Sequence, residues 1–198
     1  MTCLSYRTVS LKANQPHITN LLDRCKKSDK NAQLEIYKSY YNAMFNTAHR
    51  ILKDRFEAED MMQEGFLTAF TKLQTYKGEV AFGAWLKRIV INKSLTQLKR
   101  NNRYNEVKMQ VIVNDEIEEE PIRYSGLQAS KVLESLSSLK ENYRLVLTLH
   151  LIEGFDYEEI SAVLKITNEN VRTTISRAKK KLKQVLVAEQ LQTEAYGK

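Results

Sequence analysis

The spacing of apolar residues predicts helices along most of the chain. A first helix is expected to be capped by Ser28 or Asp29 and to end near Lys53, and a second is expected from about Glu57 to Leu73. Apolar positions recur three and four residues apart in both, as on the buried face of a helix. In the first they are Leu34, Tyr37, Tyr41, Met44, Phe45, Ala48 and Ile51, and in the second Met62, Phe66, Ala69, Phe70 and Leu73.

A third helix is predicted from about Phe82 to Arg103, with apolar residues on two sides. The early ones are Phe82, Trp85, Leu86 and Ile89, and the later ones are Ile91, Leu95 and Leu98. A helix buried on two faces lies between neighbours, as in the centre of a bundle. One stripe stays polar throughout and is expected to be exposed: Arg88, Asn92, Thr96, Lys99 and Arg103.

Helical periodicity is lost in the acidic segment 105–122 and resumes near Leu127. The helices expected there are Ala129–Ser137, Lys140–Ile152 (ended by Gly154 in the left-handed conformation), Tyr157–Leu164 and Asn168–Ala188. The predicted fold class is all-α, with two small helical domains joined by a flexible acidic linker. The predicted boundaries are an N-terminal extension 1–16, domains 17–104 and 127–190, the linker 105–126 and a tail 191–198.

The last two predicted helices are typical of a helix-turn-helix. Ile160, Leu164, Ile166 and Val171 occupy the offsets at which such helices brace each other, and Ile175 continues the inner face. Side chains near the start of the second helix could reach base edges in a major groove, while lysines behind them suit phosphates. The candidates are Asn168, Asn170, Arg172, Thr173, Ser176, Arg177, Lys180 and Lys181. A plain helical hairpin with a charged surface is the alternative.

The net charge of +7 arises from two basic segments and one acidic segment, and the rest of the chain is neutral overall. Residues 77–103 and 165–183 each carry seven Lys or Arg and one acid, whereas 104–120 carries six acids and one Lys. Two basic patches separated by an acidic segment indicate two nucleic-acid contacts, unless they are only solvated helix faces and a soluble linker.

Other classes of function lack support in the sequence. His17, His49 and His150 are isolated, no Gly-rich phosphate loop is present, and Cys3 and Cys25 form no metal or disulfide motif. No apolar run approaches the roughly 20 residues that span a bilayer. The prediction is a cytoplasmic protein with no catalytic activity, no cofactor, no metal and no membrane insertion.

The C-terminal stretch SLKENYRLVLTLHLIEGFDYEEISAVLKITNENVRTTISRAKKKL resembles region 4 of sigma-70-type factors. That region reads the promoter element near −35. The residues that match the family pattern are Arg144, Glu159, Ile160, Val171, Arg172, Arg177 and Ala178. The chain departs from it at Lys140, Ser161, Lys165, Asn170 and Thr174, of which the last two leave open which bases are read.

The stretch AEDMMQEGFLTAF resembles the part of sigma region 2 that binds the clamp helices of the largest polymerase subunit. The resemblance implies a docking surface made of Asp60, Gln63, Glu64 and Leu67. The following TYKGEVAFGAWLKRIVINKSLTQLKRNNR is similar to the −10 element reader and melting segment. The residues implied there are Tyr76, Lys77, Phe82, Arg88, Asn92, Lys99, Arg100 and Arg103.

The connection between residues 103 and 127 is too short for a further DNA-binding domain. In this the chain resembles the extracytoplasmic-function group, which keeps only regions 2 and 4. The resemblance implies a sigma factor that binds promoter DNA and core RNA polymerase, through the clamp helices and, by region 4, the flap. It also implies that the acidic connector enters the polymerase channels, and anti-sigma factors are common partners in this group. A stand-alone transcription regulator with the same helix-turn-helix is the rival hypothesis.

Overall fold

The computed structural model describes the backbone of residues 16–104 and 129–196 and the side chains of 17–101 and 130–188. All regular elements within these ranges are helical, and no strand occurs among them, which confirms the predicted all-α class. Contacts divide the chain into two compact units, residues 1–107 and 108–198. The predicted linker lies outside the described residues, so its limits and flexibility stay predictions. No described helix is long and apolar enough to cross a membrane.

The first unit contains four α-helices: α1 (Pro16–Lys26), α2 (Lys30–Leu52), α3 (Arg55–Thr71) and α4 (Phe82–Tyr104). A 3₁₀ turn, Leu73–Thr75, follows α3. Helices α2, α3 and α4 pack against one another, and α1 packs on α2. Asp29 caps α2 by accepting hydrogen bonds from the backbone N–H groups of Asn31 and Ala32 at 2.9 and 3.2 Å. Of the two caps that the sequence offered, Ser28 and Asp29, the aspartate is the one that forms.

Two features of this unit differ from the sequence expectation. Helix α1 was not predicted, although Ile18, Leu21, Leu22 and Cys25 follow i, i+3, i+4, i+7 spacing, and the last three of them are buried. Leu34 was assigned to the core but is 50% exposed. The buried residue nearby is Ile36, two positions on and therefore on the opposite side of the helix.

Helix α4 is buried on two sides, as predicted, with Leu86 and Val90 on one and Ile91 and Leu95 on the other. The close approach of α3 to α4 depends on Gly65. A Cβ added at this glycine would lie 2.6 Å from Cγ2 of Val90, whose branched side chain cannot turn away freely. Gly65 therefore lets the two helix backbones lie close together.

We expect Gly65→Ala to lower the free energy of unfolding by about 1 kcal/mol, because overpacking of roughly 1–3 kcal/mol outweighs the gain of about 1 kcal/mol in helix propensity. In a Val90→Ala background the same substitution is expected to stabilise the protein by about 1 kcal/mol, since only the propensity gain remains. Urea unfolding followed by circular dichroism measures both values. The same sign in both backgrounds would contradict the packing argument.

The second unit contains α5 (Ala129–Ser138), α6 (Glu141–Leu147), α7 (Tyr157–Leu164) and α8 (Asn168–Tyr196). A π-helical turn, Thr148–Ile152, continues α6, so the predicted helix from Lys140 to Ile152 is not uniform. Gly154 ends it with a φ of +79°, as expected. Helix α8 packs on α5, α6 and α7, and it extends beyond the predicted end at Ala188.

Candidate functional site

The helix-turn-helix is formed by α7, a short turn and the start of α8. Ile160, Leu164, Val171 and Ile175 are buried, whereas Ile166 in the turn is partly buried. These burials are the predicted ones and fix how α8 lies on α7. The motif is therefore a packed unit with its inner residues buried at the predicted positions.

Both ends of α7 are fixed by local hydrogen bonds. Asp156 caps the helix: its Oδ1 accepts from the Glu159 backbone N–H at 2.7 Å, and Glu159 Oε2 accepts from the Asp156 N–H at 3.1 Å. At the other end, Ser161 Oγ donates to the Ile166 carbonyl at 2.6 Å across the turn. A residue that departs from the family pattern thus ties the turn together, since alanine at 161 could not make this bond.

Lys165 stands in the turn with a φ of +59°, in the left-handed region that favours glycine. We expect Lys165→Gly to raise the free energy of unfolding by about 1 kcal/mol, because the strain of placing a Cβ there is removed. Lys165→Ala keeps the Cβ and serves as the matched control. The urea midpoint of the full chain measures the effect, and an equal gain for alanine would show that the lysine side chain, not the backbone, causes the strain.

Helix α8 carries all eight predicted contact residues of the helix-turn-helix. Arg172, Thr173, Lys180 and Lys181 are exposed, and four are partly buried: Asn168, Asn170, Ser176 and Arg177. Thr167 caps the helix, its Oγ1 accepting from the Asn170 backbone N–H at 3.2 Å. This arrangement places polar and cationic side chains along the exposed side of the helix start.

Arg172 is supported by an aromatic residue that the sequence did not predict. The guanidinium carbon of Arg172 lies 5.7 Å from the centre of the Tyr157 ring. The Tyr157 ring in turn lies 5.2 Å, centre to centre, from that of His150. The sequence predicted Tyr157 only as the first residue of α7. Its contact with Arg172 depends on how α7 and α8 cross, and the spacing of apolar residues does not predict that crossing.

The predicted docking residues lie together on the exposed face of α3. Asp60, Gln63 and Glu64 are exposed, and the Leu67 side chain is 67% exposed despite being apolar. Phe56, which was not among the predicted docking residues, is 79% exposed. Positions 56, 60, 63 and 67 are spaced by four, three and four residues, so they follow one face of the helix.

Glu64 at the border of this face is paired with the neighbouring helix. Its Oε2 accepts a hydrogen bond from Lys93 Nζ of α4 at 3.0 Å, and the carboxylate is half exposed. A second polar bridge joins the same two helices, in which Glu57 accepts from the Asn101 amide at 2.8 Å. The acidic face of α3 thus lies beside the basic helix α4.

The residues expected at the −10 element fall into two groups. Arg88, Asn92 and Arg100 are exposed on α4 and Lys99 is partly buried. The side chain of Arg103 lies outside the described residues. Their spacing places them along one side of α4, as the polar stripe predicted.

The connection between α3 and α4 holds the second group, in which Lys77 is exposed. Phe82 is only 3% exposed, since its ring packs against Tyr40, Tyr76 and Trp85 at 5.6 to 5.7 Å. This corrects the place of Phe82 among the residues implied at the −10 element, because it is a core residue here. Tyr76 is partly buried, its hydroxyl donates to the Val80 carbonyl at 2.6 Å, and burial raises the pKa of its phenol.

Comparisons with known proteins match both units. The family description Sigma-70 region 2 matches residues 36–104, and Sigma-70, region 4 matches residues 129–182. The chain is 28% identical to the RNA polymerase sigma-H factor of Pseudomonas aeruginosa over 84% of this chain and 92% of that protein. It is 25% identical to the ECF RNA polymerase sigma factor SigW of Bacillus subtilis over 85% and 96%.

A further relative is the ECF RNA polymerase sigma factor SigE of Mycolicibacterium smegmatis, 28% identical over 80% of this chain but only 63% of that longer protein. Among solved structures, the sigma factor RpoE in complex with the anti-sigma factor NepR from Bartonella quintana has a TM-score of 0.52 at 21% identity. That similarity covers 77% of this chain and 94% of RpoE. CnrH, in complex with the cytosolic domain of CnrY, has a TM-score of 0.51 at 23% identity, covering 85% and 96%. At these identities the structural likeness supports the fold.

Proposed function

Since the chain belongs to the sigma-70 family, in its extracytoplasmic-function group, we propose that it binds core RNA polymerase and directs promoter-specific transcription initiation through −35 and −10 elements. Members of this family are initiation factors and not enzymes. The observation that carries the proposal is the presence of regions 2 and 4 in this order, each with a basic face. A stand-alone regulator, even one with a helical sensor domain, would have no use for the basic stripe and the exposed α3 face of the first unit, so that rival hypothesis is ranked second.

In this proposal the second unit reads the −35 element with α8. The exposed Arg172 and Thr173 near the helix start are suited to base edges, and Lys180 and Lys181 further along are suited to phosphates. Asn168, Asn170, Ser176 and Arg177 complete the proposed surface. The capped and tied turn before α8 supports it, because a fixed turn fixes the angle at which α8 enters the groove.

The first unit would serve the −10 element and promoter melting with α4 and the connection before it. The exposed Lys77, Arg88, Asn92 and Arg100 can hold a phosphate backbone, joined by Lys99 and Arg103. Of the proposed aromatic residues, Tyr76 is the one that can still stack on an unpaired base. Its hydroxyl would first have to break the hydrogen bond to the Val80 carbonyl. Phe82 is omitted from this proposed set because it is buried.

Docking on core polymerase is assigned to the exposed face of α3. Two apolar side chains, Phe56 and Leu67, flank the polar Asp60, Gln63 and Glu64. This surface suits a partner helix that carries both apolar and basic residues. Phe56 and Leu67 would be buried against its apolar side chains, and the acidic side chains would attract its basic ones. The proposed partner segment is the clamp helices, and contact of region 4 with the flap belongs to the same proposal.

Three further assignments rest on the family alone. The protein would act in the cytoplasm, where its polymerase partner lies. The acidic linker would enter the polymerase channels, and it lies outside the described residues. An anti-sigma partner remains a prediction, since the RpoE–NepR and CnrH–CnrY complexes concern those proteins.

Reconstitution with core RNA polymerase tests the proposed function. Transcription from a library of random-sequence promoters is measured with and without the protein. We expect a defined subset of promoters to be transcribed only when the protein is present, with shared sequences near −35 and −10. Transcription that does not change with the protein, or that rises equally on all templates, would contradict the proposal.

A further inference from the structure

The exposed guanidinium of Arg172 rests on an aromatic ring supplied by the other helix of the motif. Its central carbon lies 5.7 Å from the centre of the Tyr157 ring, within the range of a cation–π contact. Tyr157 begins α7, and Arg172 lies in the second turn of α8. A side chain of α8 that is proposed to read DNA is thus supported by a residue of α7.

Tyr157 in turn packs against His150. Its ring lies 5.2 Å from the His150 imidazole, and the two planes are tilted by 35°. Nδ1 of His150 is 3.0 Å from the carbonyl oxygen of Phe155, and because a carbonyl only accepts, this nitrogen is the donor. His150 belongs to the π-helical turn Thr148–Ile152, so that turn is the base of a stack that ends at Arg172.

We propose that Tyr157 is a positioning residue for Arg172, which fixes the orientation of the guanidinium before DNA is bound. An arginine has several rotatable bonds, and ordering them on binding opposes association. A side chain already held over a ring loses less freedom when it meets a base edge, and the planar guanidinium keeps its donors in one plane. The inference rests on the proposed role of Arg172 in reading DNA.

The expected consequence is a loss of sequence discrimination and not of binding in general. Discrimination is defined as the ratio of holoenzyme affinities for duplex promoter DNA with the preferred −35 element and with one base pair of it replaced. We expect Tyr157→Leu to lower this ratio by about 3- to 10-fold, since the arginine must then be ordered on binding. Tyr157→Phe keeps the ring and should stay within about twofold of the original protein.

A double-mutant cycle with Arg172→Ala separates positioning from a purely structural role. If Tyr157 acts through Arg172, Tyr157→Leu should cause no further loss of discrimination once the arginine is absent. Circular dichroism of each variant reports whether the helices are kept. Should Tyr157→Leu fail to fold, Tyr157→Gln replaces it in the cycle, because it also removes the ring.

Three results would overturn the inference. Equal losses from Tyr157→Leu in both backgrounds would mean that the ring supports the fold and not the arginine. A loss from Tyr157→Phe as large as that from Tyr157→Leu would mean that the hydroxyl is the working group. If Arg172→Ala leaves discrimination unchanged, the proposed reading role of Arg172 fails, and the inference fails with it. The first two results leave that reading role intact.

Discussion

Asp60→Lys is expected to lower the affinity of the protein for core RNA polymerase about 100-fold, or roughly 3 kcal/mol. Asp60 lies at the centre of the exposed face of α3, between Phe56 and Leu67. The substitution would replace a carboxylate, which attracts a basic partner helix, with an ammonium group, which repels it. A titration of core polymerase with fluorescently labelled protein measures the change.

The charge change itself is controlled by Asp23→Lys, which makes the same substitution at an exposed site on α1 of the same unit. Its affinity for core polymerase is expected to stay within a few fold. Glu64 is a poorer choice for reversal, because a lysine there would also face Lys93 and disturb the contact between α3 and α4. Equal effects of the Asp60 and Asp23 variants would remove α3 as the docking site.

A substitution at Phe56 tests the apolar part of the same surface. Because its side chain is 79% exposed, Phe56→Ser should change the free energy of unfolding by less than about 0.5 kcal/mol. Core binding should nevertheless weaken by about tenfold if the ring is buried against the partner. A variant with unchanged affinity would limit the docking surface to the residues from Asp60 onward.

Arg172→Ala is expected to weaken holoenzyme binding to the preferred −35 element by about 1–3 kcal/mol, or roughly 5- to 150-fold. Binding to DNA with an altered element should fall much less, because the lost contact is to a base edge. Competition binding with two promoter duplexes that differ only in this element measures both values.

Lys181→Ala is the comparison within the same helix. Its ammonium is exposed beyond the helix start and is assigned to a phosphate, so its loss should weaken all promoter sequences alike. The slope of log affinity against log salt should also fall by about one. If Arg172→Ala behaves in this way instead, its assignment to a base is wrong.

The sequence predicts most helices because their signals are local. Helix α7 has the predicted limits, since Asp156 caps it and Lys165 ends it. Helix α1 was missed because its apolar stripe is short and stands beside a segment without a pattern. Leu34 was misassigned because a periodic fit tolerates one residue on the wrong side, whereas packing against α3 and α4 does not.

The candidate sites are less accessible to sequence reasoning than the fold. Spacing identifies which residues share a face, and the polar stripe of α4 was predicted in this way. It does not show that Phe82 turns inward while Tyr76 binds Val80, or that Tyr157 supports Arg172. The contacts of Phe82 and Arg172 join residues of different elements, so they depend on how the elements pack. The Tyr76–Val80 bond lies within one connection, to which no periodic pattern applies.

Trp85 is the single tryptophan of the chain, and it lies in the first unit, 5.2 Å from the Tyr76 ring. Its intrinsic fluorescence therefore reports the unfolding of that unit alone, whereas far-ultraviolet circular dichroism records helices in both. A urea titration recorded with both signals would resolve two transitions wherever the units differ in stability. The substitutions at Gly65 and Lys165 can then each be assigned to its own unit without cutting the chain.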